Sequence, residues 1–251
     1  MPTRIDPEAL APDPDFDSIR GPAIDPALLT GERLRARFAD AAALAGQPSW
    51  IEQGGDGSLF FPGRALRPAA VLIGVVQREQ GAQLLLTRRS ARLADHAGQI
   101  SFPGGRIEPA DGGPVGAALR EAHEEIGLDP RWVDVLGILP PYRTISGFEV
   151  TPVVAAVDAR AAFRADPLEV EECFEVPLAF LMDSANHQRL VVEQGGQRRT
   201  VYAMEYKAQR RYFIWGATAA MLRNLYRFLL AGAEEPAAGG AGRAESLQSG
   251  P

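Results

Sequence analysis

The chain predicts an α/β fold, with helices covering a mixed sheet. Three observations carry that prediction. The run Ala69–Gln77 (A-A-V-L-I-G-V-V-Q) is apolar and continuous, as in a central strand of a sheet. Other strand-like segments surround a stretch, 114–127, whose apolar residues recur at helical spacing. Helical patterns also precede and follow the strands. A hydrophobic content of 46% over 251 residues supplies one moderate domain with extensions, or at most two small ones.

Taken in order, residues 1–27 are rich in Pro and Asp with few large apolar side chains, and predict a flexible or loosely draped arm. Residues 28–63 predict a helix over Leu28–Ala45, with Thr30 as N-cap and Leu34, Phe38 and Ala42 four apart, followed by a loop over Gly46–Gly63. A domain is expected over 64–232. Within it Gly81 marks a turn, and strands are expected at Gln83–Arg88, Gln99–Phe102 and Val133–Leu139, the last stopped by Pro140-Pro141. Phe148–Val157 is a long strand whose Pro152 suggests an edge or a bulge. A short helix over Val176–Met182 comes next, then a hairpin of Arg189–Glu193 and Arg199–Tyr206 around Gly195-Gly196. Tyr212–Trp215 is strand-like, and Gly216–Ala231 is an amphipathic helix facing the core. The Ala/Gly-rich tail from residue 233 predicts disorder.

Several function classes are disfavoured at once. The net charge is −6 and the pI near 5.2, against a general nucleic-acid or membrane-surface binder. No apolar run approaches the length of a membrane span, and the start lacks a signal-peptide pattern. The single cysteine, Cys173, suits a reducing, cytoplasmic setting and reads as structural. A homodimer stays open.

The stretch that carries chemistry is Gly104–Leu128, with Arg120-Glu121-Ala122-His123-Glu124-Glu125-Ile126-Gly127 at its centre. At about 100° per residue, Glu121, Glu124 and Glu125 share one helix face, while Val115, Leu119, Ala122 and Ile126 form an apolar stripe. Pro114 suits the first turn and Gly127 the position after the last. Like charges four apart destabilise a helix by roughly 0.2–0.5 kcal/mol. A hard divalent cation, Mg²⁺ or Mn²⁺, would reverse that sign. Arg120 can pair with Glu124 at i+4.

This segment resembles the Nudix box, G-x5-E-x7-R-E-U-x-E-E-x-G-U, with U a bulky apolar residue. The half from Arg120 to Gly127 is intact. In the loop, Asp111 stands where the family usually has Glu, eight residues rather than seven separate it from Arg120, and Ala122 is small for its position. The resemblance implies an α/β/α sandwich around a mixed sheet, a cation held by Glu121, Glu124 and Glu125, and a supporting role for Arg120. The glycines Gly104 and Gly105 would let backbone N–H groups approach a phosphate.

A second resemblance, to the coenzyme A pyrophosphatase signature within that superfamily, runs through Leu85-Leu86-Thr87-Arg88-Arg89-Ser90, Leu93, His96, Gly98-Gln99 and Phe102-Pro103-Gly104-Gly105. Ala94 departs from it, where Arg is usual. It implies hydrolysis of coenzyme A or a derivative to 3′,5′-ADP and 4′-phosphopantetheine or its acyl form. The 3′-phosphate of that substrate calls for extra positive groups, and Arg89 and His96 are the candidates, with Arg88 and Arg92 beside them. Glu169, in a loop expected to hold Glu171 and Glu172 as well, matches an acidic position of the family and is a candidate for water activation or metal binding. The alternative is a Nudix hydrolase of another nucleoside diphosphate derivative such as ADP-ribose, which Ala94 keeps open. A non-catalytic binding module is disfavoured by the intact carboxylates.

Overall fold

The computed structural model describes residues 6–43, 65–93, 97–194 and 197–234. Its centre is a mixed eight-stranded sheet. The strands are β2 (Arg67–Arg78), β3 (Gly81–Arg89), β4 (Ile100–Ser101), β5 (Gly104–Arg106), β6 (Val133–Ile138), β7 (Tyr142–Arg143), β8 (Phe148–Val157) and β9 (Val170–Pro177), in chain order after β1 (Ala11–Pro12). Along the sheet they run β4-β3-β2-β8-β6, with β5 on β2, β7 on β8 and β9 on β3. Among the described residues, only the β2–β8 pairing of this sheet is parallel, in register Val71↔Pro152. A second, antiparallel sheet joins β1 to β10 (His187–Gln194), β11 (Gln197–Lys207) and β12 (Arg211–Trp215).

Strand alternation sorts the core into two layers. Ala70, Leu72 and Val76 of β2, Leu85 of β3 and Val153, Ala155 and Val157 of β8 pack under helix α2 (Pro114–Ile126). Ile73 and Val75, Leu84 and Leu86, and Val154 face the other way. There they meet the second sheet, α1 (Gly31–Ala43), the single turn α3 (Leu178–Leu181) and α4 (Ala217–Glu234). This is the expected sandwich. Among the described residues, no helix is long and apolar enough to cross a membrane.

Several elements follow the sequence closely. Thr30 caps α1, accepting from Arg33 N at 3.3 Å, and Leu34 and Phe38 are buried; Ala42's side chain lies outside the described residues. The loop expected over 46–63 and the Gly195-Gly196 turn also lie outside them, although β10 and β11 pair in register Gln194↔Gln197.

Other expectations are corrected. Pro152 is at neither an edge nor a bulge. It sits in a central strand, between the stretch of β8 paired to β7 and the stretch paired to β6, and the register shift lies in β6 between Val135 and Gly137. The expected helix at Val176–Met182 is strand through Pro177 and helix only from Leu178. Glu171 and Glu172 therefore belong to β9 rather than to a loop. The loop expected over Gly104–Gly113 begins with β5. Helix α4 continues to Glu234, past the start of the tail expected from residue 233; residues 235–251 lie outside the described set.

The N-terminal arm differs most. Where the sequence predicts a flexible or loosely draped segment, residues 6–29 are anchored at a few buried points while most of their other side chains are exposed. Phe16, Ile24 and Leu29 are buried, and β1 adds to the edge of β10. Asp13 pairs with Arg189 at 2.6 Å and Arg198 at 3.1 Å. From α4, Arg223 donates to Ile19 O at 2.8 Å and Arg20 O at 2.9 Å, and Tyr226 OH donates to Pro22 O at 2.6 Å.

Candidate active site

Helix α2 starts on Pro114 and stops at Gly127, whose φ of 65° is left-handed. Gly127 N donates to His123 O at 2.9 Å and Leu128 N to Ala122 O at 3.3 Å, closing the last turn. The buried face differs from the expected stripe. Ala117, Ala118, Ala122 and Ile126 are buried, Leu119 is partly so, and Val115 in the first turn is exposed. The rotation carries the carboxylates with it. Glu125 is 3% exposed and the Glu121 side chain mostly buried, whereas the side chain of Glu124 is 57% exposed.

Strand β5 closes over this face. Gly104 N donates to Glu125 Oε2 at 3.2 Å. A Cβ on Gly105 would collide with the Glu121 carboxylate atoms, so a side chain there would displace that carboxylate from its place beside β5. The third contact is Arg89 of β3, whose Nη1 stands 3.6 Å from Glu125 Oε1.

Arg120 organises the other side. It donates from Nε to Asp111 Oδ1 at 2.7 Å, from Nη1 to Glu124 Oε2 at 2.8 Å, and from Nη2 to Arg106 O at 3.0 Å. Nη2 is also 3.0 Å from Glu121 Oε1 and 3.2 Å from Asp111 Oδ2. Asp111 was not among the residues nominated from the sequence. The signal was present, because Asp111 occupies the acidic position of the box loop. The longer spacing to Arg120 hid it. The loop adds one residue while Asp is one methylene shorter than Glu, and the carboxylate still meets the guanidinium from both oxygens.

The titration behaviour follows from these contacts. Burial pushes Glu125 up to about 7, Arg89 and the Gly104 N–H act against that, and Glu121 and Glu169 add to it. Burial also raises Glu121; Arg120 opposes this, while Glu124 and Glu169 reinforce it. Asp111 is held low, first by its hydrogen bond to Arg120, and Arg120 is correspondingly raised. Glu169 is thus close enough to be felt by both carboxylates. It is exposed, and its loop is tied to α2: Arg164 N donates to Ile126 O at 2.8 Å, Asp166 N to Glu125 O at 2.9 Å, and Glu169 N to Asp166 O at 3.1 Å.

Of the nominated residues, Arg120, Glu121, Glu124, Glu125, Glu169, Arg89, Gly104 and Gly105 are brought together. His96 and Ala94 lie outside the described residues. Arg88 points away from α2, as its place in β3 requires. It lies 3.6 Å from Glu172 and over the Tyr212 ring at 5.5 Å, so its charge faces a glutamate of the chain. Cys173 is a structural thiol, pushed up to about 12 by burial.

The donor set suits a hard divalent cation. It consists of carboxylate oxygens, and burial raises two of the carboxyls, Glu121 and Glu125, against the opposing charges of Arg120 and Arg89. It is not a preassembled cage. Glu124 is turned onto Arg120, and among the described residues no three acidic, His or Cys side chains converge as a ligand group.

Comparison with known proteins agrees with this geometry. The NUDIX domain profile matches residues 66–193, about half of the chain. The Nudix hydrolase NudL of Salmonella paratyphi B is 44% identical over 159 residues, covering 63% of this chain and 81% of that protein. Among solved structures, RenU, a Nudix hydrolase from M. smegmatis, aligns with a TM-score of 0.40 at 25% identity, over 46% of this chain and 73% of that one. A MutT/nudix family protein from Enterococcus faecalis aligns at 0.43 and 11% identity, over 78% and 69%. The assignment rests on the first two likenesses. The chain belongs to the Nudix family and is a Nudix hydrolase, an enzyme acting on nucleoside diphosphate derivatives.

Proposed function

We propose that this hydrolase cleaves the pyrophosphate of coenzyme A or its derivatives, giving 3′,5′-ADP and 4′-phosphopantetheine or its acyl form, with residues 64–232 as the catalytic unit. The observation that carries the reading is the convergence of two motifs. The segment 85–105, which resembles the coenzyme A pyrophosphatase signature, supplies Arg89, Gly104 and Gly105, the direct neighbours of Glu125 and Glu121 on the Nudix helix.

In this reading Glu121, Glu124 and Glu125 hold Mg²⁺ or Mn²⁺. When bound, such a cation neutralises phosphoryl oxygens and lowers the pKa of a water. The chain's own residues do the rest. Arg120 fixes the rotamers of Glu121 and Glu124 through a guanidinium that is itself locked by Asp111 and Arg106 O. The Gly104 N–H fixes Glu125. Glu169, exposed on a loop tied to the last turn of α2, takes the proton of the attacking water at its carboxylate. The strand β5 glycines leave room for the diphosphate to lie against backbone.

A second reading, hydrolysis of another nucleoside diphosphate derivative such as ADP-ribose, is favoured by one observation. Arg88 and Arg89, nominated for the 3′-phosphate, are each paired with a glutamate of the chain.

The test is a substrate panel with Mg²⁺ and with Mn²⁺, products identified by mass spectrometry in ¹⁸O-water. Coenzyme A is expected to give 3′,5′-ADP. It should exceed dephospho-coenzyme A in kcat/KM by about tenfold, the low end for one charge-assisted contact. Rapid cleavage of ADP-ribose with negligible cleavage of coenzyme A would transfer the assignment to the second reading.

A further inference from the structure

Arg120 and Arg89 approach the same carboxylate cluster but are held very differently. The Arg120 guanidinium has acceptors at 2.7, 2.8 and 3.0 Å on separate groups and is fixed. Arg89 stands at 3.6 Å from Glu125, within ion-pairing range and beyond a hydrogen bond. Its backbone is nevertheless rigid. Arg89 N donates to Gln99 O at 2.9 Å and Arg89 O accepts from Gly98 N at 3.1 Å. Its pairing with Val170 falls where the β3–β9 register shifts, so a bulge directs the side chain. The side chain is 28% exposed, which leaves its head a path to solvent, whereas Glu125 is 3% exposed and has none.

We propose that Arg89 is an exchangeable counter-cation for Glu125. It holds the carboxylate while the divalent cation is absent, yields it when the cation binds, and is thereby freed toward the phosphoryl oxygens of the substrate. The proposal rests on the metal reading above. Its physical basis is exclusion. Glu125 Oε2 already accepts the Gly104 N–H, whereas Oε1, the oxygen facing Arg89, is the less engaged of the two toward a cation. Two positive groups cannot share it in a buried setting, where like-charge repulsion is strong. Without either, Glu125 would be a buried charge lacking a counterion, which is costly. A loose guanidinium on a fixed backbone meets both demands. It also makes substrate contact by Arg89 conditional on the cation being in place, so cation binding precedes productive substrate binding.

The decisive measurement is Mn²⁺ affinity of the substrate-free enzyme, read by electron paramagnetic resonance at about pH 9, where protons compete little for Glu125. Arg89→Gln is expected to bind Mn²⁺ roughly threefold to tenfold more tightly than wild type, because the competitor is gone. Its Tm without cation should fall and should recover at saturating Mn²⁺, while KM for substrate rises. Arg89→Lys, which keeps the charge, should stay near wild type in Mn²⁺ affinity. An unchanged or weaker Mn²⁺ affinity in Arg89→Gln overturns the proposal. If that variant does not fold, the wild type decides. The Nε–H resonance of Arg89 in ¹⁵N spectra should move on Mg²⁺ addition, and a resonance that stays put while Mg²⁺ binds overturns the exchange. Glu125→Gln separates the two levels. Lost Mn²⁺ binding there, together with no change in Arg89→Gln, sinks the exchange alone. Full Mn²⁺ binding in Glu125→Gln sinks the metal reading beneath it.

Discussion

Two buried charged sites lie on opposite faces of the large sheet, and their chemistry is opposite. Under the N-terminal arm, Arg223 is fully buried, yet its guanidinium meets Ile19 O, Arg20 O and, at 3.2 Å, His187 Nδ1. His187 in turn has Nε2 at 2.7 Å from Leu181 O. That pattern assigns the neutral tautomer with the proton on Nε2. The charge is absorbed by fixed backbone dipoles, and the network is closed. Under α2, Glu125 is as deeply buried but has one N–H and one distant arginine. Fixed dipoles that complete a charge make structure; a charge left short of partners is ready for a ligand. The contrast separates what holds the chain together from what it works with.

The largest expected effects come from exchanging those fates. Glu125→Gln, and likewise Glu124→Gln, should reduce turnover by orders of magnitude while leaving the fold intact. For Glu125→Gln the Tm without divalent cation should not fall, since a buried like-charge neighbour of Glu121 is removed. Arg223→Met should do the reverse. It strands the arm carbonyls and His187 Nδ1, and a loss of about 3 kcal/mol in urea unfolding is expected. The protein that remains folded should keep its kcat. Activity lost in folded Arg223→Met, or stability lost in Glu125→Gln, would break the comparison.

His187 sharpens it through pH. Burial first, with the Arg223 charge adding to it, lowers its pKa to about 4, against about 6.5 when unfolded. Between those values the unfolded chain binds more protons than the folded one, so stability rises with pH. It is fully present above about 6.5 and lost as pH falls toward about 4, by up to about 3 kcal/mol. His187→Gln cannot titrate there. The difference in unfolding free energy between the two proteins, followed from acid to neutral pH, should carry this slope; parallel curves would mean that His187 is not held neutral.

The same contrast explains what the sequence discloses. Helix α2 is legible because its signals are local: a Pro at the start, a Gly at the end, and a carboxylate set within five residues of Arg120. The arm is not legible, because it is held by residues more than 160 positions away, such as Arg189 and Arg223. Strand β9 was hidden by its charges. Glu171 and Glu172 read as loop, yet Arg210 and Tyr212 stand across from Glu172, and farther along the strand Arg78 donates to Glu175 at 2.6 and 3.1 Å. Arg89 was legible as a site residue, but its nearest partner in the structure is Glu125 rather than an open surface. Long-range pairing is what a periodicity argument cannot see.

A smaller effect is expected where a fixed contact serves the active site. Arg120→Lys keeps the charge but cannot bridge Asp111, Glu124 and Arg106 O from one plane. A loss of about 10–100-fold in kcat/KM is expected, with weaker cation binding, as for other residues that orient ligands. Full recovery of both by lysine would make Arg120 a surface charge.

The smallest effect concerns Asp111, and it tests whether loop and side chain are matched. The loop runs one residue longer than the usual box, while the acid is one methylene shorter. The loop backbone cannot simply shift, because Asp111 O packs against Gly116 in the first turn of α2, where a side chain would collide with it. Glu108 N also holds Asp111 Oδ2 at 2.7 Å. Asp111→Glu, nominally a return to the family residue, should therefore push its carboxylate off the Arg120 Nε–H and lower kcat/KM, by less than about tenfold, since Glu121, Glu124 and Arg106 O still hold the guanidinium. Deleting Gly112 in the Asp111→Glu background should bring activity back toward wild type, whereas the same deletion in the Asp111 protein should not. Equal activity in all four proteins would show that Arg120 is held without Asp111. Recovery confined to the double change would show that this chain reaches the same clamp by exchanging side-chain length for loop length.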